Sequence, residues 1–128
     1  QFNFSLNKWY HIAITRQSGN ANIFIDGILI SSNSMSGTPQ NNANSLLVGT
    51  QNVAGYLRYF NGYISNFRLV TGAALYTANF TPSRKPLGIA SSGSTGLLTC
   101  MGRTVADQSN NNLTVTANGN AGVASLSP

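Results

Sequence analysis

Few residues in this chain of 128 could carry acid–base or nucleophilic chemistry. The acidic residues are Asp26 and Asp107, the chain contains no Glu, and His11 and Cys100 are each the single residue of their type. Hydrolysis of a glycosidic bond ordinarily uses two carboxyl groups that flank the bond, whereas Asp26 stands in a predicted hairpin turn. A Ser-His-Asp arrangement would need His11 at its centre, and we expect this strand histidine to be packed or hydrogen-bonded instead. We therefore predict that the chain is not an enzyme.

The same scarcity of ligands argues against a metal site. Calcium sites use several oxygen ligands, usually including two or more carboxylates. Asp26 is explained as a turn residue, and Asp107 could either cap a turn through an Asx hydrogen bond or join a weak site of Asn and carbonyl oxygens. One cysteine provides neither an intrachain disulfide nor a Cys-based zinc site. We predict no cofactor and no bound metal.

Carbohydrate binding is the chemistry for which the chain has suitable residues. Sugar recognition uses aromatic rings together with amide and guanidinium donors held on loops. Our candidate carbohydrate-binding residues surround one predicted loop and the strand that follows it: Asn52, Tyr56, Arg58 and Tyr59. The alternative is that the tyrosine rings pack or pair across strands. Trp9 is a further aromatic platform, but its place at the start of a predicted strand favours packing at the core or its rim.

The basic charge of the chain is spread rather than clustered. Seven Lys and Arg residues against two acidic residues give a formal net charge of +5 and a sequence pI of about 9.9. A nucleic-acid interface would gather these cations on one face with aromatic residues among them, whereas only Arg84 and Lys85 are adjacent. No apolar run approaches the roughly 20 residues needed to span a bilayer. We predict neither nucleic-acid binding nor membrane insertion.

Short strands and tight turns must position these residues. Only 7% of the residues are charged and 13 are Gly, which favours strands and turns over helices. From Lys8 to Arg16, apolar residues occupy both faces of an extended segment, which predicts an inner strand. Ser18-Gly19-Asn20 and Asp26-Gly27 then bound two further strands, Ala21–Ile25 and Ile28–Ser31, and Asp-Gly favours a type I′ turn with positive φ at both central residues. The three strands are predicted to form an antiparallel meander.

The rest of the chain is predicted to hold further short strands separated by loops. Residues 32–45 are rich in Ser, Asn and Gly and form a predicted loop, as do residues 51–55. One helical turn is predicted at Ala73–Tyr76, before prolines end it. The predicted strands are Ser45–Thr50, Tyr56–Phe60, Gly62–Val70, Leu97–Cys100, Leu113–Thr116 and Val123–Leu126.

Five sequence segments occur in order between about residues 4 and 86. They are WYHIAITR at Trp9–Arg16, IFIDGILI at Ile23–Ile30, LLVGT at Leu46–Thr50, FNGYISNFRL at Phe60–Leu69, and the following ALYTANFTP. As an ordered set they resemble the laminin G-like, concanavalin A-like lectin family (LamG). The resemblance implies an all-β fold, an antiparallel β-sandwich with jelly-roll topology, of which this chain matches the C-terminal half. The strands that usually precede the tryptophan in the family are missing, and the chain begins at Gln1 rather than Met.

The resemblance also predicts how the chain is divided. Residues 1–87 correspond to the C-terminal part of a LamG-like sandwich, and residues 88–96, rich in Gly, Ser and Ala, form a predicted linker. For residues 97–128 two interpretations are open. They are closing strands of the same sandwich, or they are the leader of a following repeat, as in tandem-repeated LamG proteins of bacteriophages and marine bacteria. The resemblance slightly favours the leader.

The resemblance implies a non-catalytic module of a virion or extracellular surface protein, such as a phage tail fibre or another appendage. Its implied role is attachment or carbohydrate binding, with a surface glycan as the ligand. The alternative is a purely structural assembly module of a fibre or capsid that has no glycan ligand. A half-sandwich exposes a broad apolar face, so we expect an oligomer in which neighbouring repeats or subunits cover that face.

Overall fold

A computed structural model describes residues 2–37, 44–53 and 56–125, and for residues 52, 53 and 57 it describes the backbone alone. Every regular element in this part of the chain is a β-strand, which confirms the predicted all-β class. The described residues contain no helix long and apolar enough to cross a membrane. The strands form three antiparallel sheets. The first has three strands in the order β1 (Ile12–Gln17), β2 (Asn20–Ile25) and β3 (Ile28–Ser34). The second pairs β4 (Thr50–Val53) with β5 (Tyr56–Tyr59), and the third pairs β6 (Phe67–Thr71) with β7 (Ser94–Thr99).

Two tight turns connect the three strands of the first sheet. Ser18 and Gly19 between β1 and β2 have φ values of 49° and 77°, and Asp26 and Gly27 between β2 and β3 have φ values of 50° and 81°. Positive φ at both central residues is the signature of a type I′ turn, whose twist matches that of the flanking strands. The predicted meander and its Asp26-Gly27 turn are therefore confirmed.

One face of the meander is packed, and the opposite face is buried only at Ile25, the partner of Ile12. Phe24 is fully buried and its ring contacts that of Phe80, with centroids 5.5 Å apart. On the opposite face, Ile12 and Ile14 of β1 are 57% and 72% exposed, and Ile23, which pairs with Ile14, is exposed as well. The prediction of an inner strand here is wrong, because β1 lies at the edge of its sheet.

A short segment after β6 docks onto the second turn of the meander. The Phe80 N–H donates a hydrogen bond to the Gly27 carbonyl (2.9 Å), and the Leu29 N–H donates one to Oδ1 of Asn79 (2.8 Å). A Cβ atom added to Gly27 would stand 1.9 Å from the Phe80 carbonyl oxygen, so only glycine permits this approach. The ring of Phe80 also stacks on that of Tyr76 at 3.6 Å between centroids.

Residues with left-handed backbone conformation shorten two of the predicted strands. The strand predicted over residues 45–50 is regular only from Thr50, which follows Gly49 with a φ of 77°. The strand predicted over residues 62–70 begins at Phe67, directly after Asn66 with a φ of 58°. A positive φ interrupts an extended chain, so these predictions are wrong at their N-terminal ends. The predicted loop over residues 51–55 is wrong as well, because it contains most of β4.

The helical turn predicted at residues 73–76 is wrong, because these residues form no helix. The Tyr76 carbonyl at the end of this segment accepts a hydrogen bond from Oγ1 of Thr15 (2.9 Å), which is distant in sequence. The segment is thus held by a tertiary contact.

Three other predicted strands also differ from the structure, one in its first residue and two because no regular strand forms. β1 begins at Ile12 rather than at Lys8. Residues 113–116 form no regular strand, and the Leu113 N–H donates to the Asp107 carboxylate instead of to a neighbouring strand (2.9 Å). Residues 123–125 are irregular too, and the last residue of that predicted strand lies outside the described residues.

The second buried cluster lies on β7. This strand begins at Ser94, inside the predicted linker, and pairs antiparallel with β6. Its residues Leu97, Leu98 and Thr99 are buried. Strand β7 is therefore part of the same hydrogen-bonded structure as β6.

Candidate carbohydrate-binding site

The candidate sugar-binding residues lie on the hairpin formed by β4 and β5. Its register pairs Thr50 with Tyr59, Gln51 with Arg58, and Val53 with Tyr56. Two contacts secure its base: Oγ1 of Thr50 donates to the Arg58 carbonyl (3.0 Å), and the Phe60 N–H donates to the Gly49 carbonyl (2.8 Å). The backbone that carries the candidates is thus held by hydrogen bonds on both strands.

Strand alternation divides the four candidates between two faces of the hairpin. Side chains two residues apart share a face, so Tyr56 and Arg58 lie together on one face and Tyr59 lies on the other. Asn52 pairs with Leu57 and occupies the Tyr59 face, and its side chain lies outside the described part of the chain. The structure therefore brings the candidates together as two pairs rather than as one cluster.

The side chains of the hairpin are open to solvent. Tyr56 and Tyr59 are 72% and 74% exposed, and Arg58 is exposed too. Rings this exposed have most of their surface outside the packed interior. Each is accessible to a ligand on its own side of the hairpin.

Gln51 is a polar residue of this surface that the sequence did not reveal. It pairs directly with Arg58, shares the face of Arg58 and Tyr56, and is exposed. The pattern of residues 51–55 predicted a loop, and cross-strand partners follow only from the register of two paired strands. Asn52 was the predicted amide donor, but on the Tyr56 face the residue next to Arg58 is Gln51.

The arginines differ in what their guanidinium groups contact. Arg16 donates to the carbonyls of Met35 and Gly37, and Arg68 donates to the carbonyl of Gly88 (2.9 Å). Within the described residues, the side chains of Arg58, Arg84 and Arg103 make no hydrogen bond, and no ion pair forms in that part of the chain.

Trp9 packs beside another aromatic residue. It is half-buried, and its ring centroid lies 6.5 Å from that of Tyr63 with the planes tilted by 44°. This arrangement agrees with the expected packing at the rim of the core.

Asp26, in the second turn of the meander, is joined to His11 by two hydrogen bonds. The His11 N–H donates to Oδ1 of Asp26 (2.8 Å), and the Asp26 N–H donates to the His11 carbonyl (2.8 Å). The His11 ring meets the rings of Phe80 and Tyr76 edge-on, at 5.4 and 6.2 Å between centroids. Burial lowers the pKa of His11, the Asp26 charge opposes this shift, and the Arg68 charge adds to it. Both residues therefore serve the packing of the turn.

Asp107 fastens the segment after β7 to that strand. Its Oδ1 accepts hydrogen bonds from the N–H groups of Leu98 (3.0 Å) and Ser109 (2.8 Å), and its Oδ2 accepts from Oγ of Ser109 (2.8 Å) and the N–H of Leu113 (2.9 Å). Nδ2 of Asn111 adds bonds to two carbonyls of β7. Burial favours the protonated acid, but the four hydrogen bonds outweigh it and hold the pKa of Asp107 well below its ordinary value. We call this arrangement the Asp107 clasp.

The two carboxylates are thus committed to separate structural tasks. Within the described residues, no group of three or more His, Cys, Asp or Glu side chains comes together as metal ligands would. The turn role predicted for Asp26 is observed, and Asp107 makes the Asx-type bonds that were one of its two predicted roles.

Comparison with known proteins points to one family. A family model described as "Concanavalin A-like lectin/glucanases superfamily" matches residues 1–77, a span that includes strands β1 to β6 and the whole hairpin. The match ends before β7 and the Asp107 clasp. No curated protein and no solved structure matches the chain.

Proposed function

This chain belongs to the concanavalin A-like lectin/glucanases superfamily, and from that premise we propose that it binds carbohydrate without catalysing a reaction. Membership supports a β-sandwich module with a carbohydrate-binding or a structural role. The observation that carries the binding role is that Tyr56 and Arg58 lie on the same face of β5 in a hydrogen-bonded hairpin and are both exposed. The two acidic residues of the chain, Asp26 and Asp107, both accept hydrogen bonds from backbone N–H groups, which supports a non-catalytic role.

The Tyr56 face has the parts that a sugar site needs. An aromatic ring offers a flat apolar surface to the ring of a sugar, and a few placed polar groups fix its orientation. Arg58 and Gln51 stand next to Tyr56 as donors of hydrogen bonds to sugar oxygens. Tyr59 and Asn52 form a second, opposite pair, which is the alternative location of the site.

Single alanine substitutions distinguish the two faces. We expect Tyr56→Ala and Arg58→Ala each to weaken retention on immobilised glycans about tenfold, which corresponds to about 1.4 kcal/mol. Tyr59→Ala is the matched control, since it removes an equally exposed ring from the opposite face. Loss with Tyr59→Ala alone would move the site to the Asn52 face. Equal retention of the wild type and all three variants would show that the hairpin is not the binding site.

We place the module at an extracellular or virion surface, in a protein that attaches to other surfaces. The supporting feature is the small number of charged residues, which are 7% of the chain. We also propose that residues 97–128 begin with the closing strand of this sandwich rather than with the leader of a repeat. The pairing of β7 with β6 and the Asp107 clasp support that choice. In this arrangement no flexible linker separates residues 1–87 from β7.

A second candidate function, assembly, is supported by the amount of exposed surface. The accessible area is 10007 Å², whereas a compact monomer of this mass exposes about 6500 Å². A standard interface covers about 800 Å² on each partner, so the excess is larger than one such interface. The isoleucine face of the meander, formed by Ile12, Ile14 and Ile23, is the part of this surface best suited to packing against another polypeptide.

Light scattering tests the assembly role. We expect the chain to be oligomeric in solution and Ile14→Thr to shift it towards the monomer, because threonine keeps the β-branched shape and removes apolar surface. Ile89→Thr is the control, since Ile89 is also exposed but lies outside the meander. A monomeric wild type, or equal effects of the two variants, would contradict assembly through this face.

A further inference from the structure

We propose that Asn61 is a site of spontaneous deamidation, at which the side-chain amide becomes a carboxylate without an enzyme or a cofactor. In this reaction the backbone nitrogen of the next residue attacks the side-chain amide carbon Cγ, the Cγ–Nδ2 bond breaks, and ammonia leaves with the proton of that nitrogen. The resulting succinimide ring takes up water and opens to aspartate or isoaspartate. Isoaspartate continues the backbone through Cγ, so the main chain becomes one atom longer.

Two Asn-Gly sequences in the chain are suited to this reaction, Asn61-Gly62 and Asn118-Gly119. Glycine has no side chain to hinder the attack, and its wide conformational range lets its nitrogen approach the amide carbon. All four residues are exposed, so water reaches both sites. Sequence and exposure therefore do not distinguish the two sites, and the difference between them lies in their hydrogen bonds.

Hydrogen bonds restrain Asn118 but not Asn61. Nδ2 of Asn118, the leaving group, donates to the Thr116 carbonyl (3.4 Å), and the Asn118 carbonyl accepts a bond from the Ala121 N–H (3.2 Å). The peptide unit that must rotate during the attack is thus held in a turn. Within the described residues, neither the Asn61 side chain nor the Gly62 N–H has a hydrogen-bond partner. Asn61 can therefore reach the reactive geometry without breaking a bond.

Asp26-Gly27 could form the same ring with loss of water, but its groups are held on both sides. Oδ1 of Asp26 accepts a hydrogen bond from the His11 N–H (2.8 Å), and the Gly27 carbonyl accepts one from the Phe80 N–H (2.9 Å). The close approach of the Phe80 carbonyl also leaves no room for Gly27 to move. We expect no isoaspartate at this turn.

The contacts around Asn61 give the modification a structural consequence. The Phe60 ring lies against Gly62, where an added Cβ atom would stand 2.8 Å from two ring carbons. Tyr63, the next residue, packs beside Trp9 with ring centroids 6.5 Å apart. An extra backbone atom between Asn61 and Gly62 must displace Gly62 from this ring and shift Tyr63 relative to Trp9. The new carboxylate also lowers the formal net charge from +5 by one unit.

Peptide mapping of the whole folded chain tests the proposal. The chain is incubated in mildly alkaline buffer, which favours the deprotonated backbone nitrogen, and is then digested with trypsin. Cleavage after the arginines separates Asn61, in residues 59–68, from Asn118, in residues 104–128. Mass spectrometry with fragmentation locates the modified residue, and a protein-isoaspartate methyltransferase labels isoaspartate. We expect Asn61 to react about fivefold faster than Asn118, the factor that corresponds to opening one hydrogen bond of about 1 kcal/mol.

The urea-unfolded chain and two variants are the controls. In urea the two asparagines should react at similar rates, because both are followed by glycine and neither is restrained. Asn61→Gln should abolish the modification of residues 59–68, and Asn118→Gln should leave it unchanged. The emission of Trp9 should change in step with isoaspartate formation in the wild type, and should stay constant in Asn61→Gln.

Three results would overturn the proposal. The first is an unmodified Asn61 after Asn118 has reacted, and the second is the same ratio of rates in the folded and the unfolded chain. The third is a fully modified wild type whose Trp9 emission has not changed, which would show that the added backbone atom leaves the contacts of Gly62 and Tyr63 intact. None of these results bears on carbohydrate binding by the hairpin.

Discussion

Substitution of Gly27 tests how the second turn of the meander holds the fold together. Gly19 and Gly27 occupy equivalent positions in two tight turns, with φ values of 77° and 81°. A Cβ atom at Gly19 meets nothing within 4 Å, whereas at Gly27 it stands 1.9 Å from the Phe80 carbonyl oxygen. An alanine at either site would therefore have the same backbone strain, but only at Gly27 would its Cβ atom collide with the Phe80 carbonyl.

The magnitudes follow from that difference. Gly19→Ala should lower the free energy of unfolding by about 1 kcal/mol, the cost of a left-handed alanine. Gly27→Ala adds displacement of the docked segment, which breaks the hydrogen bonds of Phe80 to Gly27 and of Leu29 to Asn79. Each bond contributes about 1 kcal/mol, and the separation of Phe80 from Phe24 adds packing loss, for a total of about 4 kcal/mol.

Urea unfolding followed by the fluorescence of Trp9, the single tryptophan, measures both variants. Asparagine substitutions refine the comparison, because asparagine tolerates positive φ but still carries a Cβ. Gly19→Asn should be close to the wild type, while Gly27→Asn should lose nearly as much as Gly27→Ala. If alanine costs the same at both glycines, the close approach of Phe80 does not stabilise the fold and the reasoning is refuted.

Two further predictions concern titrating groups. Burial lowers the pKa of His11 in the folded chain, so the unfolded chain binds protons more readily. The contribution of His11 to stability should be fully present above its ordinary pKa of about 6.5 and should be lost as the pH falls below that value. In the His11→Gln variant, the urea concentration at the unfolding midpoint should therefore depend less on pH between about pH 7.5 and pH 5. The pKa of Asp107 is held low, so its carboxylate stabilises the fold at neutral pH and loses this effect in acid. Asp107→Asn should therefore speed hydrogen exchange at the amides of Leu98 and Leu113, and unchanged exchange at both would contradict the clasp.

The sequence predicts the parts of this fold that depend on neighbouring residues. Asp26-Gly27 specifies its turn because the two residues tolerate positive φ, and the alternation around it specifies the strands of the meander. The position of Asp26 in the turn also accounts for the presence of an acidic residue there. These features require no knowledge of distant parts of the chain.

The sequence did not predict the features that depend on distant contacts. Residues 73–76 have a helical pattern but form no helix, and the Tyr76 carbonyl accepts a hydrogen bond from the distant Thr15. Gly49 and Asn66, both with positive φ, directly precede the first residues of β4 and β6, where hydrophobic alternation alone predicts strands that begin earlier. The candidate site illustrates the same limit: the four residues are neighbours in sequence, yet pairing places Gln51 rather than Asn52 beside Arg58.

The two tight turns also have a consequence for the order in which the chain folds. Strands joined by two-residue turns make contacts between near neighbours in sequence, and such low contact order favours fast folding. The pairing of β6 with β7 and the docking of Phe80 on Gly27 require much longer loops to close. We expect the meander to form the folding nucleus, so that Gly19→Ala slows refolding while Gly27→Ala chiefly accelerates unfolding.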